Sequence, residues 1–171
     1  MITDERRLEN SRKNLEAIVE GGQIVIDSDS CMHEGFNRFI SNIIPMLNTY
    51  DRKIVIFDVT FAELYECIKS ETPDTAGKTR QVIENITRLA KADIIRIMCL
   101  SDNETIVSKL QSLKETGRVN ITFITQNRNK ARTIIESNNT TPKKIEVRQI
   151  NQYGFLSPYF DYSKNIRKCA G

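Results

Sequence analysis

The sequence predicts an α/β fold, a three-layer sandwich in which helices cover both faces of a mostly parallel central sheet. Two observations lead to this prediction. Short apolar runs recur along the chain, and each is followed by a segment whose apolar residues repeat at helical spacing. The runs are also apolar on both faces, which is typical of strands that lie in a parallel sheet between two layers of helices.

The predicted elements follow one another in order. Residues 4–20 are expected to form a charged helix that ends at Gly21-Gly22 and lies on the surface or against a protein partner. A helix follows each of the first four predicted strands, and residues 75–92 form an additional helix before the third strand. Pro45 is expected to kink or shorten the helix after the first strand. The predicted strands are 24–26, 54–57, 94–98 and 119–125, with 143–150 as an additional edge strand.

Length and composition are those of one globular domain, since the chain has 171 residues, of which 39% are hydrophobic and 27% charged. The apolar runs are too short to cross a bilayer, so we expect no membrane partner and a cytoplasmic location. Four scattered cysteines and one histidine argue against structural zinc and against a disulfide framework. We divide the chain into an N-terminal helical extension (1–22), an α/β domain (23–150) and an aromatic and basic C-terminal tail (151–171).

Basic residues are concentrated near the carboxyl end. Residues 128–171 contain nine Lys or Arg and three Asp or Glu, a net charge of +6, whereas the whole chain carries +3. This segment suits a polyanion such as RNA, although solvated basic faces are also common. Five of the twelve aromatic residues fall between 153 and 162. They either stack unpaired bases or, as we prefer, pack on the domain or on a second copy of the chain in a homodimer.

Acidic residues follow three of the predicted strands, at the edge of an open α/β sheet where ligands bind. They are Asp27 and Asp29 after the first strand, Glu63 after the second and Asp102 after the third. Hard cations such as Mg²⁺ and Mn²⁺ prefer several oxygen ligands of this kind. Taken singly, Asp102 is explained as a helix N-cap and Glu63 as a solvated helix residue. The metal-site prediction therefore depends on the convergence of these acids.

Four motifs occur in the order IVIDSDSCM, FDVTFAELYE, LSDNETIVSKL and ITFITQNRNKA, over about residues 23–138. In this order and spacing they resemble the motifs of the PIN-domain ribonucleases. The resemblance implies a PIN-like domain whose catalytic residues Asp27, Glu63 and Asp102 hold one or two Mg²⁺ or Mn²⁺ ions. Asp29 and Asn127 are further candidate ligands, and Asn127 stands where the family has an aspartate.

The resemblance implies a metal-dependent endoribonuclease, in which a metal-bound water attacks an RNA phosphodiester bond. Arg128, Lys130 and Arg132 are then candidates for contacts with the RNA backbone, the alternative being a solvated helix face.

Two other functions are weighed against this one. The first is a degenerate, non-catalytic PIN-like module that binds RNA or docks a protein partner through the N-terminal helix, and the amide at Asn127 favours it. The second is a haloacid-dehalogenase-type phosphatase, suggested by the strand before Asp27-Ser28-Asp29. That class needs a late acidic pair, which Gln126-Asn127 does not provide. A glycine-rich phosphate loop is absent from the sequence, which argues against a nucleoside triphosphatase.

Overall fold

The structure is a computed structural model that describes residues 3–70, 72–117, 119–139 and 145–159. Within these ranges the helices are α1 (Asp4–Gly21), α2 (Ser28–Cys31), α3 (Phe36–Tyr50), α4 (Asp58–Ser70), α5 (Pro73–Lys91), α6 (Ile106–Gly117) and α7 (Arg128–Ser137). The strands are β1 (Gly22–Ile26), β2 (Ile54–Phe57), β3 (Ile95–Met98), β4 (Asn120–Ile124), β5 (Glu146–Ile150) and β6 (Leu156–Pro158).

The strands form one six-stranded sheet in the order β3-β2-β1-β4-β5-β6. Every neighbouring pair is parallel except β5 and β6, which are antiparallel. From β1 the chain winds outward to β3 at one edge, and it then returns to place β4 on the other side of β1. The order reverses between β1 and β4, and such a reversal opens a crevice beyond the carboxyl ends of the two strands.

Helices cover both faces of the sheet, because alternate strand residues point to opposite sides. Ile24 and Ile54 face the layer of α1, α3, α4 and α5, whereas Val25 and Val55 face α6 and α7. The sheet is therefore apolar on both sides at its centre. The predicted α/β class, with a mostly parallel sheet between two helical layers, is confirmed.

Helix α1 is continuous with β1 and packs on the sheet through its second half. Leu15 and Val19 are buried, whereas residues 4–10 are exposed. Gly22 then begins β1 against β4, where a Cβ atom would lie 2.0 Å from the backbone oxygen of Asn120. The docking of a partner on the exposed first turns of α1 stays a prediction. In the part of the chain that the structure describes, no helix has the length and apolar character that crossing a membrane needs.

Three sequence-based details differ from the structure. Helix α3 runs through Pro45 to Tyr50, so the proline does not shorten it. The strand predicted at the sheet edge, β5, has β6 on its outer side. Strand β6, in the segment that we assigned to the tail, was not predicted. Phe155 and Leu156 of this segment lie in the core, in line with the preferred prediction that aromatic residues of the tail pack on the domain. Residues 160–171 of the predicted tail lie outside the described residues.

Candidate functional site

Asp27 lies at the crevice between β1 and β4. Its backbone N–H donates to the Ile124 oxygen over 3.1 Å, which carries the strand pairing one residue beyond β1. Its side chain is 3% exposed and caps α2, where one carboxylate oxygen accepts the N–H of Ser30 at 3.0 Å. The other oxygen accepts the hydroxyl hydrogen bond of Thr125, which follows β4. Strands β1 and β4 therefore both end beside the buried carboxyl group of Asp27.

Burial raises the pKa of Asp27, because removal from water disfavours the charged carboxylate. The hydrogen bonds from the Thr125 hydroxyl and the Ser30 N–H act in the opposite direction, as does the positive charge of Lys130. The effect of burial prevails, so the folded protein holds a proton on Asp27 more tightly than the unfolded chain does.

The ammonium group of Lys130 lies among three carboxylates. Its Nζ is 3.1 Å from Glu63 Oε2, 3.7 Å from Asp29 Oδ2 and 3.8 Å from Asp27 Oδ2. Burial of the lysine works against its charge, but the hydrogen bond to Glu63 and the three negative charges outweigh that effect and raise the pKa of Lys130. Three of the acids predicted to bind metal therefore surround a cation that the protein itself supplies. We call this arrangement the lysine-centred pocket.

Glu63 connects this pocket to α2 and α4. Its Oε2 accepts hydrogen bonds from the Lys130 ammonium and from the Ser28 hydroxyl. One carboxylate oxygen thus joins α4, on which Glu63 lies, to α2 and α7. Glu63 Oε2 therefore accepts two hydrogen bonds from groups of the protein itself.

Asn127 is the N-cap of α7, the helix that carries Lys130. Its Oδ1 accepts the N–H groups of Asn129 at 2.9 Å and of Lys130 at 3.1 Å, as an N-cap does. Its own N–H donates to the Thr125 hydroxyl over 3.1 Å. The amide oxygen that we considered as a metal ligand is therefore engaged in holding the first turn of α7.

Asp102 does not join the pocket in this structure. It is exposed in a turn, and it is not among the carboxylates within 4.0 Å of Lys130. Helix α6 begins only at Ile106, so the prediction that Asp102 opens this helix is corrected. The helix start is instead organised by Thr105 and Ser108, whose side-chain oxygens each accept the other's N–H at 3.0 to 3.1 Å.

Mg²⁺ and Mn²⁺ do not fit the residues as they are arranged here. Among the described residues, no group of three or more His, Cys, Asp or Glu side chains is close enough together in this structure to hold a metal ion. The acids that do converge share the Lys130 ammonium, and the Asn127 oxygen is taken by backbone N–H groups. The predicted ligand set of Asp27, Asp29, Glu63, Asp102 and Asn127 is therefore not assembled around an ion.

Three hydroxyl-bearing residues of the site were not predicted. Ser28 and Thr125 adjoin the acidic motifs in sequence, and that position was the available signal. Tyr159 was assigned to the tail, yet its hydroxyl donates to the backbone oxygen of Thr125. Burial and the charges of Asp27 and Asp29 raise the pKa of Tyr159 to about 12. No local pattern marks a contact between residues 34 positions apart.

The three predicted RNA-binding residues of α7 lie in two environments. Arg128 and Arg132 are exposed and are one helical turn apart, whereas Lys130 is turned into the pocket. The buried positions of α7 are Ala131 and Ile134, which pack on the sheet. Arg128 and Arg132 thus lie on an exposed part of α7, and Arg128 also interacts with other groups of the protein.

Comparison with known proteins identified no matching family model and no matching curated protein. The chain is similar to a solved structure of the PIN domain endonuclease Utp24, with 14% sequence identity and a TM-score of 0.46. The match covers 83% of this chain and 96% of that one.

Proposed function

We propose that this chain is a non-catalytic, PIN-like module that binds RNA. The observation that carries the proposal is the ammonium group of Lys130, which lies within 4.0 Å of Asp27, Asp29 and Glu63. Three of the side chains that the resemblance assigns to metal binding, Asp27, Asp29 and Glu63, therefore pair with a lysine of the same chain. This pairing supports a module that does not use these carboxylates to activate a water molecule.

RNA is the proposed ligand because the four motifs resemble those of ribonucleases and because exposed arginines lie on the helix that carries Lys130. Arg128 and Arg132 are exposed on α7, which begins just after β4 at the switch point of the sheet. A guanidinium group offers a planar fork of N–H donors, which suits the oxygens of a phosphate. Contacts of this kind position a nucleic acid without reading its bases.

The binding part of the proposal is tested with a fluorescent single-stranded RNA whose anisotropy is measured in EDTA. We expect the wild type to bind and the double variant Arg128→Glu, Arg132→Glu to bind at least about tenfold more weakly. Arg96→Glu is the matched control, since Arg96 is also exposed but lies on β3, at the opposite edge of the sheet. Equal affinities for the wild type and the double variant would contradict this interface.

A second candidate is a metal-dependent endoribonuclease, and one observation favours it. Asp27 and Asp29 lie at the start of α2 and Glu63 lies on α4, yet the three converge at the crevice where α/β sheets bind ligands. Incubation of RNA with the wild type and with Asp27→Asn, in Mg²⁺ or Mn²⁺ and in EDTA, separates the two candidates. The proposed function predicts intact RNA in every sample. Cleavage that needs the metal and is lost in Asp27→Asn would establish the second candidate instead.

A further inference from the structure

We propose that Lys130 is a resident cation that excludes metal ions from the lysine-centred pocket, and that removal of its charge uncovers a divalent-cation site formed by Asp27, Asp29 and Glu63. The inference rests on the proposed function, because both require Lys130 to remain in the pocket. Its test uses no RNA, so each can fail without the other.

The first support is geometric. A single atom, Lys130 Nζ, lies 3.1 to 3.8 Å from an oxygen of each of the three carboxylates. Oxygen ligands surround a hard divalent cation at roughly 2.0 to 2.6 Å, so an ion placed among these carboxylates overlaps the volume that the ammonium occupies. The lysine and a metal ion are therefore alternatives for one position. The carboxylate oxygens have to approach by roughly 0.5 to 1.8 Å to change from one occupant to the other.

The second support is the balance of charge. Asp27, Asp29 and Glu63 carry three formal negative charges, and the Lys130 ammonium supplies one positive charge against them. Without the lysine the three carboxylates repel one another. A divalent cation offsets this repulsion more fully than a monovalent cation does, because it carries two positive charges.

The third support is a buried hydroxyl group beside Asp27. The Ser30 side chain is 0% exposed, and its Oγ has no hydrogen bond of ordinary length and angle among the residues that the structure describes. Ser30 lies in the helix that Asp27 caps, and its hydroxyl is close enough to the Asp27 carboxyl group to help lower the pKa of that group. Buried hydroxyl groups usually form a well-aligned hydrogen bond, so this weakly bonded one is consistent with a small polar ligand next to Asp27.

The test is a calorimetric titration of Mn²⁺ into three proteins: the wild type, Lys130→Met and Lys109→Met. Methionine approximates the length of the side chain and removes its charge. Lys109 is the matched control because it is also partly buried, at 24% exposure, and it pairs with Glu104 over 3.4 Å outside the pocket. We expect Lys130→Met to bind Mn²⁺ on the order of a hundredfold more tightly than the other two, because a positive charge a few ångströms from the ion has been removed.

Thermal unfolding provides the second readout. We expect Lys130→Met to melt below the wild type in EDTA and to recover in Mn²⁺, because the ion binds only the folded protein. The variant Lys130→Gln, which retains a neutral donor toward Glu63, repeats the titration if Lys130→Met fails to fold in EDTA. Folding of Lys130→Met that depends on Mn²⁺ supports the inference.

Two results would overturn the inference. One is a Mn²⁺ affinity of folded Lys130→Met or Lys130→Gln no greater than that of Lys109→Met. The other is a wild type that binds Mn²⁺ as tightly as the Lys130 variants, since the lysine then excludes nothing. Neither result bears on RNA binding by Arg128 and Arg132. Conversely, a wild type that binds no RNA leaves the expected difference in Mn²⁺ affinity in place.

Discussion

The Lys130 ammonium donates a hydrogen bond to Glu63 Oε2 over 3.1 Å, although the two residues are 67 positions apart in the chain. The contact joins α4, which follows β2, to α7, which follows β4. Both side chains are roughly one-third exposed, at 36% for Glu63 and 29% for Lys130. A partly buried ion pair contributes more to the stability of the folded protein than a pair in open solvent does. Loss of one partner leaves the charge of the other uncompensated.

Replacement of Thr125 by valine tests the connection between β4 and the pocket. The Thr125 hydroxyl donates to Asp27 and accepts the N–H of Asn127, so the variant removes a hydrogen-bond partner from both groups. We expect a loss of about 1 to 3 kcal/mol in the free energy of unfolding, measured by urea denaturation. Thr122→Val, a buried change within β4, is the control. Equal losses in the two variants would contradict the role given to Thr125.

The pH dependence of stability tests the environment of Asp27. Burial raises the pKa of this carboxyl group above its ordinary value of 3.8, so the folded state binds its proton more tightly than the unfolded state. The contribution of Asp27 to stability therefore falls as the pH rises from about 3.8 through the raised pKa. We expect Asp27→Asn to lose this fall, so that its stability relative to the wild type increases across that interval.

Urea denaturation of Asp27→Asn at a series of pH values measures this difference. Asp29→Asn is the control, because it removes one charge beside Lys130 without changing the buried carboxyl group that caps α2. A stability difference between Asp27→Asn and the wild type that stays constant with pH, once the Asp29→Asn effect is subtracted, would contradict the raised pKa.

Substitutions of Asn127 distinguish a capping role of this residue from a metal-binding role. From the sequence, Asn127→Asp is expected to restore a missing metal ligand. In the structure the side-chain oxygen accepts two N–H groups of α7, and an aspartate can do the same. We therefore expect Asn127→Asp to keep the stability of the wild type and to leave the Mn²⁺ affinity unchanged, whereas Asn127→Ala loses about 1 kcal/mol.

Calorimetry with Mn²⁺ and urea denaturation measure both effects of the Asn127 substitutions. Tighter Mn²⁺ binding by Asn127→Asp, with Lys130 unchanged, would show that the residue at this position reaches an ion and that the lysine does not exclude it.

Salt dependence tests the proposed interface on α7. For a single-stranded nucleic acid, removal of one phosphate contact lowers the slope of log affinity against log salt by about 0.7. We expect Arg132→Glu to reduce both the affinity for RNA and this slope, whereas Arg96→Glu changes neither. Anisotropy titrations at several salt concentrations supply both values. An unchanged slope in Arg132→Glu would remove this residue from the interface.

Much of the fold could be predicted because its strands and helices are marked by the regular spacing of apolar residues along the sequence. Apolar runs such as 54–57 are buried on both faces, and the helices that follow them bury one side. Strand β6 was missed because its three residues have no period long enough to detect, and it forms only by pairing with β5. Helix α3 continues through Pro45 because its apolar face, which includes Phe39 and Ile43, is held in the core by tertiary contacts.

The candidate site was predictable in position but not in its internal contacts. Asp27 and Glu63 follow neighbouring strands, so the topology brings them to one edge. The position of the Lys130 ammonium among three carboxylates depends on how α2, α4 and α7 pack together, and a count of charges along the sequence does not reveal it. Asp102 lies outside the pocket because α6 begins at Ile106, capped by Thr105.

The most direct test of the lysine-centred pocket is a crystal structure of the wild type grown in Mn²⁺, with diffraction measured at a wavelength that detects the anomalous scattering of manganese. We expect the Lys130 ammonium to lie among Asp27, Asp29 and Glu63, with no anomalous peak at that position. A manganese peak bound by these carboxylates, with the Lys130 side chain turned out of the pocket, would contradict this expectation.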